Sequence, residues 1–296
     1  MRILSRNRCV IGEGPIWNAV EKKLYYVNGP EKELRSLDLS TDREQIRRLE
    51  VTAAALGFTQ GGETLISCQD GAFLLRPDGS RCPLYDPDEF EIRYGNDAKV
   101  GPDGRFYVGT QSSRRIGTGT AADGKLYSID HKGQVRVLLD GLLLSNGFDW
   151  SMDGKFLYHA DSDTGFIREY DFDKVQGTVD YTGRQVYVKN VDGLTIDEND
   201  FLYAACWGMG HIALVDTRRM QIAGYIPVPT AIPASCCFAG PQMDSLVVVT
   251  ATFGTDPGQD PQAGFTFAHN SGTRGRLPYL FGPMEGAIPK GDIESC

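Results

Sequence analysis

A turn followed by a strand recurs six times along this chain, and this repeat limits the possible folds more than any other feature of the sequence. Counted from positions 13, 56, 96, 146, 192 and 236, the repeats are about 40 to 50 residues apart, the period typical of four-stranded propeller blades. Sustained helical periodicity is absent. We therefore predict an all-β fold, a six-bladed β-propeller with four-stranded antiparallel blades around a central channel. The repeated segments are Gly12–Trp17, Leu56–Thr59, Asn96–Val100, Asn146–Trp150, Asp192–Ile196 and Cys236–Gly240.

The repeats fill the chain almost from end to end, so residues 1–296 are expected to form a single domain. The segment at about 2–10 precedes the first repeat and is expected to supply the outer strand that closes the ring against the last blade. Closure of this kind hides the strand edges that an open array would expose. A C-terminal tail is expected at about 283–296.

Composition restricts the partners and the compartment. The net charge of −9 argues against nucleic acid, because phosphate binding needs clustered Lys and Arg. The seven cysteines are odd in number and include no CxxC pair, which fits reduced thiols better than a disulfide framework. No signal-peptide core and no apolar run long enough for a membrane span is found. The sequence thus predicts a cytoplasmic protein, a monomer or weak homo-oligomer with no membrane partner.

In a radial arrangement the first positions of all six repeats meet at one mouth of the central channel. Four of them carry oxygen-bearing side chains, and hard divalent cations prefer carboxylate and amide oxygens. Leu56 and Cys236 occupy the other two positions, so the cation should lie off the axis with coordination left open. Calcium is favoured, while Zn²⁺, Mn²⁺ and Mg²⁺ stay open. The predicted metal ligands are Glu13, Asn96, Asn146 and Asp192.

A simpler interpretation applies to two of these ligands. Asn146-Gly147 and Asp192-Gly193 are turn dipeptides and could be present only because a turn needs a residue with positive φ. Glu13 does not fit that interpretation, because Glu is not a preferred turn residue. The coincidence of four oxygen ligands in one repeat column favours the metal site.

The connections between the second and third strands of each blade lie at the same mouth. Two of them are long, at 111–124 and 253–264, and long ordered loops on a rigid scaffold often build binding sites. The first carries Arg114, which is expected to contact an oxyanion or hydroxyl or to be solvated. A further mouth connection carries Trp207 and His211, which are candidates for the pocket wall.

Taken together, these motifs resemble the SMP-30/gluconolactonase family, also called regucalcin-like proteins. The resemblance implies a six-bladed propeller that binds one divalent metal and hydrolyses a small-molecule sugar lactone. It implies Glu13, Asn146 and Asp192 as direct ligands, Asn96 facing metal and substrate, and Asp192 as general base, with a metal-bound hydroxide as the competing nucleophile. The stretches that carry it are Gly12–Trp17, Asn96-Asp97, Pro102–Phe106, Ser145–Gly147, Asp161-Ser162, Asp192-Gly193, Ser235–Phe238 and Gly264-Phe265.

Two departures from the family pattern concern the substrate. Tyr94 stands where the family has its substrate-binding Arg, and Arg93 lies one residue further back, so it fills that role only if the loop bulges. The mouth loop in which some sugar-lactone enzymes place an acidic substrate contact reads Ser112-Ser113-Arg114-Arg115. A basic wall would suit an acidic lactone or a different hydroxyl pattern.

The sequence therefore predicts a metal-dependent lactonase that opens an aldono- or related lactone to the acid. Two alternatives stay open. The same cation geometry would polarise the P=O or C=O bond of a phosphotriester or aryl ester. A calcium-binding propeller without catalytic activity would need the same ligands.

Overall fold

The structure is a computed structural model that describes residues 1–256 and 258–283. Six four-stranded antiparallel sheets follow one another around a ring, which confirms the predicted six-bladed β-propeller. The expected C-terminal tail at about 283–296 lies outside the described residues except for residue 283. Among the described residues, no helix has the length and apolar character needed to cross a membrane.

The described residues form 24 strands and one short helix, named here in chain order. They are β1 (Arg2–Ser5), β2 (Gly12–Asn18), β3 (Lys23–Asn28), β4 (Glu33–Asp38), β5 (Arg43–Arg48), β6 (Ala53–Phe58), β7 (Thr64–Cys68), β8 (Gly71–Leu75), β9 (Arg81–Pro83), β10 (Gly95–Val100), β11 (Phe106–Thr110), α1 (Ser113–Ile116), β12 (Gly124–Ile129), β13 (Val135–Leu142), β14 (Ser145–Trp150), β15 (Phe156–Asp161), β16 (Phe166–Asp173), β17 (Thr178–Tyr187), β18 (Val191–Ile196), β19 (Phe201–Cys206), β20 (His211–Asp216), β21 (Gln221–Pro227), β22 (Pro233–Ala239), β23 (Ser245–Thr250) and β24 (Thr266–Asn270).

Blades one to five are consecutive groups of four strands, starting with β2, β6, β10, β14 and β18. The first strands of adjacent blades contact one another, so they form the innermost layer. Their burial fits this position, since every residue of β14 and β18 is buried. The outer strand β21 instead alternates between exposed and half-buried residues, as expected for a strand with one face in water.

The sixth blade joins the two ends of the described chain. Its sheet has the order β22, β23, β24 and β1, and Ile3 of β1 pairs with Phe267 of β24. The N-terminal strand is shorter than the predicted span of about 2–10. The residues after it are fixed to blade one instead, because Arg35 donates to Asn7 O at 2.7 Å and to Arg8 O at 3.0 Å.

The buried Arg35 is itself balanced by an acidic neighbour. Its Nη2 lies 2.6 Å from Glu33 Oε2, and both side chains are almost fully buried. Asn28 donates to the same Glu33 oxygen at 3.0 Å. This network lies beneath the point where the ring closes.

The core between blades is built from large side chains of adjacent first and second strands. In the cluster between blades three and four, Tyr107 and Trp150 meet edge to face at 4.8 Å, and Phe148 packs against Trp150 at 5.8 Å. Such edge-to-face pairs add to the stabilisation from burial. Phe148 and Trp150 belong to the same strand as Asn146, so this packing fixes the backbone that carries a candidate ligand.

A segment without repeat character closes the face opposite the mouth. Residues 274–282, here called the bottom strap, leave blade six and cross to the turns of blades five, two and three. Its backbone hydrogen bonds include Gly275 N to Met243 O at 2.8 Å, Glu198 N to Arg274 O at 2.7 Å, Phe281 N to Phe58 O at 2.8 Å and Gly282 N to Gly104 O at 3.1 Å.

Arg276 of the bottom strap reaches into the channel from below. It forms an ion pair with Asp149, which also accepts from Lys99 Nζ at 2.9 Å. Burial alone would raise the pKa of Asp149, but the charges of Arg276 and Lys99 hold that pKa below its ordinary value. The space left beside this cluster is only about 60 Å³, so the channel is closed at this end.

Candidate functional site

A cavity of about 540 Å³ opens at the mouth of the channel. Its size falls within the range of roughly 300–1,000 Å³ typical of small-molecule sites. The four side chains of the predicted metal column all line it, together with amide, hydroxyl and aromatic side chains. The polar and aromatic members of the lining are Glu13, Thr52, Gln69, Asn96, Gln111, Arg115, Asn146, Ser162, Asp163, Asn190, Asp192, Trp207 and Phe253.

Three of the four column residues take part in hydrogen bonds between blades. Asn146 Nδ2 donates a short bond to Asp192 Oδ1, and Asn96 Nδ2 donates to Ser145 O at 3.0 Å. The side-chain amides of Asn96 and Asn146 thus both donate to other protein groups. Within the described part of the chain, the Oδ1 atom of each accepts no hydrogen bond and is available to a cation or a hydroxyl.

Each column residue lies at a β-bulge. Between Ser145 and Phe148 of β14, three steps along the strand face two on β15, and β2, β10 and β18 have the same extra residue next to Glu13, Asn96 and Asp192. Bulges bend a strand and re-aim its side chains, and they are common beside active sites. This irregularity places polar side chains from otherwise buried strands in the cavity.

Gly147 and Gly193, which follow the candidate ligands Asn146 and Asp192, have no positive φ and serve close approach rather than a turn. Gly147 lies within β14, outside the positive-φ region. A Cβ at Gly147 would lie 2.4 Å from Asp192 O and 2.5 Å from Leu194 N. The turn interpretation of Asn146-Gly147 is thus wrong. Glycine is required here because two blades approach closely where Asn146 meets Asp192.

The carboxylates of the column are electrostatically crowded. Burial, and then the charges of Asp192 and Asp97, raise the pKa of Glu13 well above its ordinary value. Burial, and then the charge of Asp97, raise the pKa of Asp192 to about 8. Two buried acids that share a site favour a neutralising partner, and a divalent cation would meet that need.

The donor set fits a hard dication. Among residues 1–256 and 258–283, no three His, Cys, Asp or Glu side chains are grouped to hold a metal, and no thiolate or imidazole lies in the column. The column offers two carboxylates and two amide oxygens, a combination suited to calcium and unlike the Cys and His sets of structural zinc sites.

The structure does not bring Arg93 and Tyr94 to the column. Arg93 is exposed and pairs with Glu91, with Nε 2.5 Å from Oε1. Tyr94 has a φ of 58°, and its backbone bonds to Gln69 O and Gln111 N. Both residues line a separate surface depression of about 390 Å³. The loop therefore does not bulge in the way needed for Arg93 to replace the family arginine.

Of the mouth-loop residues predicted to contact the substrate, one lines the cavity and two do not. Trp207 lines the cavity, and its carbonyl accepts from Asn190 Nδ2 at 2.9 Å. His211 lies outside the lining and packs edge to face on Tyr225 at 4.5 Å. Arg114 is exposed and also lies outside the lining, whereas its neighbour Arg115 belongs to the cavity wall.

Sequence reasoning overlooked the layer beneath the column. The Ser145 Oγ lies 2.8 Å from His159 Nε2, and both residues are fully buried. Burial lowers the pKa of His159 to about 3, so the ring is neutral and supports the strand that carries Asn146. His159 could have been found from its position in β15, because it pairs with Phe148, the first paired residue after the bulge that follows Ser145.

A scan against protein families matches residues 11–252 to the model described as "SMP-30/Gluconolactonase/LRE-like region". The chain belongs to this family. The match confirms the resemblance seen in the repeats, and it covers five blades and two of the four strands of the sixth.

Individual SMP-30/gluconolactonase/LRE-like relatives are distant but match over nearly their whole length. The Bacillus subtilis (strain 168) protein named "Putative sugar lactone lactonase YvrE" is 29% identical, with 93% of this chain and 96% of that protein covered. Human regucalcin is also 29% identical, with 92% and 95% covered. The crystal structure of regucalcin from Agrobacterium tumefaciens, described as a calcium-binding protein, has a TM-score of 0.83 at 25% identity, covering 95% and 96%.

Proposed function

We propose that this protein is a divalent-metal-dependent lactonase that opens a sugar lactone to the corresponding acid. The observation that carries the proposal is the convergence of Glu13, Asn96, Asn146 and Asp192 on one cavity of about 540 Å³. Membership of the SMP-30/gluconolactonase/LRE-like family and the name of the Bacillus subtilis relative support the same activity.

Glu13, Asn146 and Asp192 would hold the cation, with Asn96 beside it, and calcium suits these ligands best. A bound dication supplies positive charge to stabilise the negative charge that develops on the lactone carbonyl oxygen. The cavity leaves room for a sugar ring next to these ligands, and amides such as Gln69, Gln111 and Asn190 can orient the ring hydroxyls.

Asp192 is the group that would take the proton from the attacking water. Its Oδ1 accepts from Asn146, which fixes the orientation of the carboxylate. Burial raises the pKa of this carboxyl group in the metal-free protein, whereas a bound dication would lower that pKa. Asp192 would therefore be an effective base only if the cation contacts its carboxylate unevenly. After ring opening, the same carboxyl group can return the proton to the leaving alkoxide.

The test is a pH-indicator assay on aldono-, urono- and deoxy-sugar lactones after EDTA treatment, with Ca²⁺, Zn²⁺, Mn²⁺ or Mg²⁺ then restored. Asp192→Asn should lower kcat/KM at least about 100-fold, because loss of a general base typically costs that much. The matched control, Asp244→Asn, changes an exposed carboxylate outside the cavity and should keep full activity. Near-normal turnover by Asp192→Asn would exclude its role as base.

One alternative has a specific observation in its favour. The Agrobacterium tumefaciens structure is described as a calcium-binding protein, and a calcium-binding propeller without catalysis would use the same oxygen ligands. Calorimetric Ca²⁺ binding without hydrolysis of any lactone would favour that function. Adding a phosphotriester and an aryl ester to the panel separates the third possibility, an esterase of the same fold.

A further inference from the structure

The cavity wall has a pronounced asymmetry of charge. Of the described residues that line it, Arg115 is the one with a basic side chain. The two column carboxylates, Glu13 and Asp192, are balanced when a dication is bound. Arg115 is therefore a positive group that the metal site does not require, and its role is to be sought in the substrate.

The backbone holds Arg115 in place before any ligand arrives. It lies in α1, whose N-cap residue Ser112 is fully buried and accepts from Arg115 N at 3.2 Å. Ser112 N in turn donates to Leu143 O at 2.9 Å, which ties the turn to the strands beneath. Consecutive helical residues point about 100° apart, so Arg114 is directed elsewhere while Arg115 faces the cavity.

The guanidinium group of Arg115 is available for binding. Its one acidic neighbour is Asp163, with Nη1 3.6 Å from Oδ1, and both side chains are partly exposed. That distance is too long for a hydrogen bond, and exposed pairs of this kind contribute little. Within the described chain, the planar set of N–H donors is thus left for an external acceptor.

The acceptor that suits this group best is a carboxylate. An arginine can hold a carboxylate through two parallel hydrogen bonds, while a hydroxyl offers a single uncharged oxygen. A cation at this place would offset the repulsion that an acidic substrate meets in an acidic protein of net charge −9.

We propose that Arg115 makes this site selective for lactones that carry a second, free carboxylate, such as the lactones of aldaric acids. This inference rests on the proposed lactonase function. One end of the substrate is the lactone carbonyl next to the metal ligands, and the other end is the carboxylate bound by Arg115. Asp163 is the internal competitor that the substrate carboxylate displaces.

The experiment compares two lactones that differ only at C6. D-glucaro-1,4-lactone has a carboxylate there, and D-glucono-1,4-lactone has a hydroxymethyl group. The wild-type protein should prefer the acidic lactone in kcat/KM. Arg115→Met should lower kcat/KM for the acidic lactone by roughly 10- to 150-fold, the range for a hydrogen bond to a charged group, and leave the neutral lactone within about threefold.

Two further variants sharpen the result. Arg114→Met removes the neighbouring charge, which is exposed and outside the lining. This variant should leave kcat/KM unchanged for both lactones. Asp163→Asn removes the competitor and should raise kcat/KM for the acidic lactone alone. Equal rates on both lactones, or an equal loss on both in Arg115→Met, would overturn the proposal.

A binding measurement separates this inference from the proposed function. If no lactone is hydrolysed, the lactonase proposal fails, and calorimetry with the open-chain acids still tests Arg115. Glucarate should then bind more tightly than gluconate to the wild-type protein, and Arg115→Met should abolish the difference. Equal affinities for the two acids in the wild-type protein would exclude the role of Arg115.

Discussion

Burial and then the charge of Asp192 raise the pKa of Glu13, so a charged Glu13 is unfavourable beside Asp192 in the metal-free protein. Treatment with EDTA should therefore lower the melting temperature, and Ca²⁺ should restore it. Glu13→Gln should stabilise the metal-free protein by on the order of 1 kcal/mol, because one of two crowded charges is removed. The same variant should lose the Ca²⁺-induced rise in melting temperature.

Differential scanning fluorimetry with and without Ca²⁺ measures both effects. Glu63→Gln is the control, since Glu63 is exposed on the opposite face in the turn beside Thr59. It should keep the Ca²⁺ response of the wild-type protein. A Glu13→Gln variant with an undiminished Ca²⁺ response would show that Glu13 is not a ligand.

His159 should make the fold sensitive to acid. Its pKa is lowered to about 3 by burial, whereas in the unfolded chain it is about 6.5. Below pH 6.5 the unfolded state takes up a proton that the folded state does not, so the free energy of unfolding falls as the pH falls. One such proton changes it by about 1.4 kcal/mol per pH unit.

His159→Gln keeps a group that can bond to Ser145 and removes the titration. Urea unfolding at pH 6.5 and pH 5 should give a difference between wild type and variant that changes by about 2 kcal/mol over this interval. His269 also has a lowered pKa, but it is present in both proteins and cancels. A difference independent of pH would contradict a neutral buried His159.

At the scale of the strand, the contact between β14 and β18 sets the geometry of the site. Gly147→Ala would place a methyl group 2.4 Å from Asp192 O, and the backbone of the next blade cannot yield cheaply. We expect a loss of about 1–3 kcal/mol in stability and weaker Ca²⁺ binding, because Asn146 is pushed away from Asp192. Urea unfolding and calorimetry measure the two effects.

Gly224→Ala is the matched control for this substitution. Gly224 lies in the outer strand β21, and a Cβ there would meet nothing within 4 Å. This variant should fold and bind Ca²⁺ like the wild-type protein. If Gly147→Ala behaved in the same way, close approach of the two blades would not be what positions Asn146.

The arrangement of strands also shows how much of the fold and of the candidate site could be predicted from the sequence. Repetition of a strand pattern predicted the six blades and brought Glu13, Asn96, Asn146 and Asp192 to one cavity, because radial symmetry converts equal sequence positions into neighbours. The bulges were not foreseen, since an extra residue in a pairing register has no composition of its own.

The substrate contacts were harder to predict because they depend on single turns. Whether Arg114 or Arg115 faces the cavity depends on the start of a four-residue helix in a loop without periodicity. Arg93 is held by Glu91 and by the left-handed conformation of Tyr94, neither of which leaves a pattern. The bottom strap, at 274–282, lies outside the repeats and could not be predicted, because it also has no recurring sequence pattern.

For the whole molecule, closure of the ring depends on a buried charge. Arg35 ties residues 7 and 8 to blade one and neutralises Glu33. Arg35→Met leaves Glu33 buried without its main partner, which typically costs about 3–5 kcal/mol. Thermal and urea unfolding should show this loss, together with faster proteolysis of the N-terminal segment.

Arg48→Met tests whether any charge near Glu33 has the same effect. Arg48 also pairs with Glu33, at 3.4 Å, but its side chain is 69% exposed. Its removal should cost less than about 1 kcal/mol. Similar losses from both substitutions would show that burial of Arg35 does not matter for closure.

The bottom strap has a kinetic consequence. With Arg276 bonded to Asp149 and only about 60 Å³ beside them, a sugar-sized molecule cannot leave through the lower face. Incoming reactant and outgoing product must therefore pass one after the other through the single opening at the mouth. Accumulating product therefore competes with fresh reactant for an empty chamber, and turnover slows as conversion proceeds.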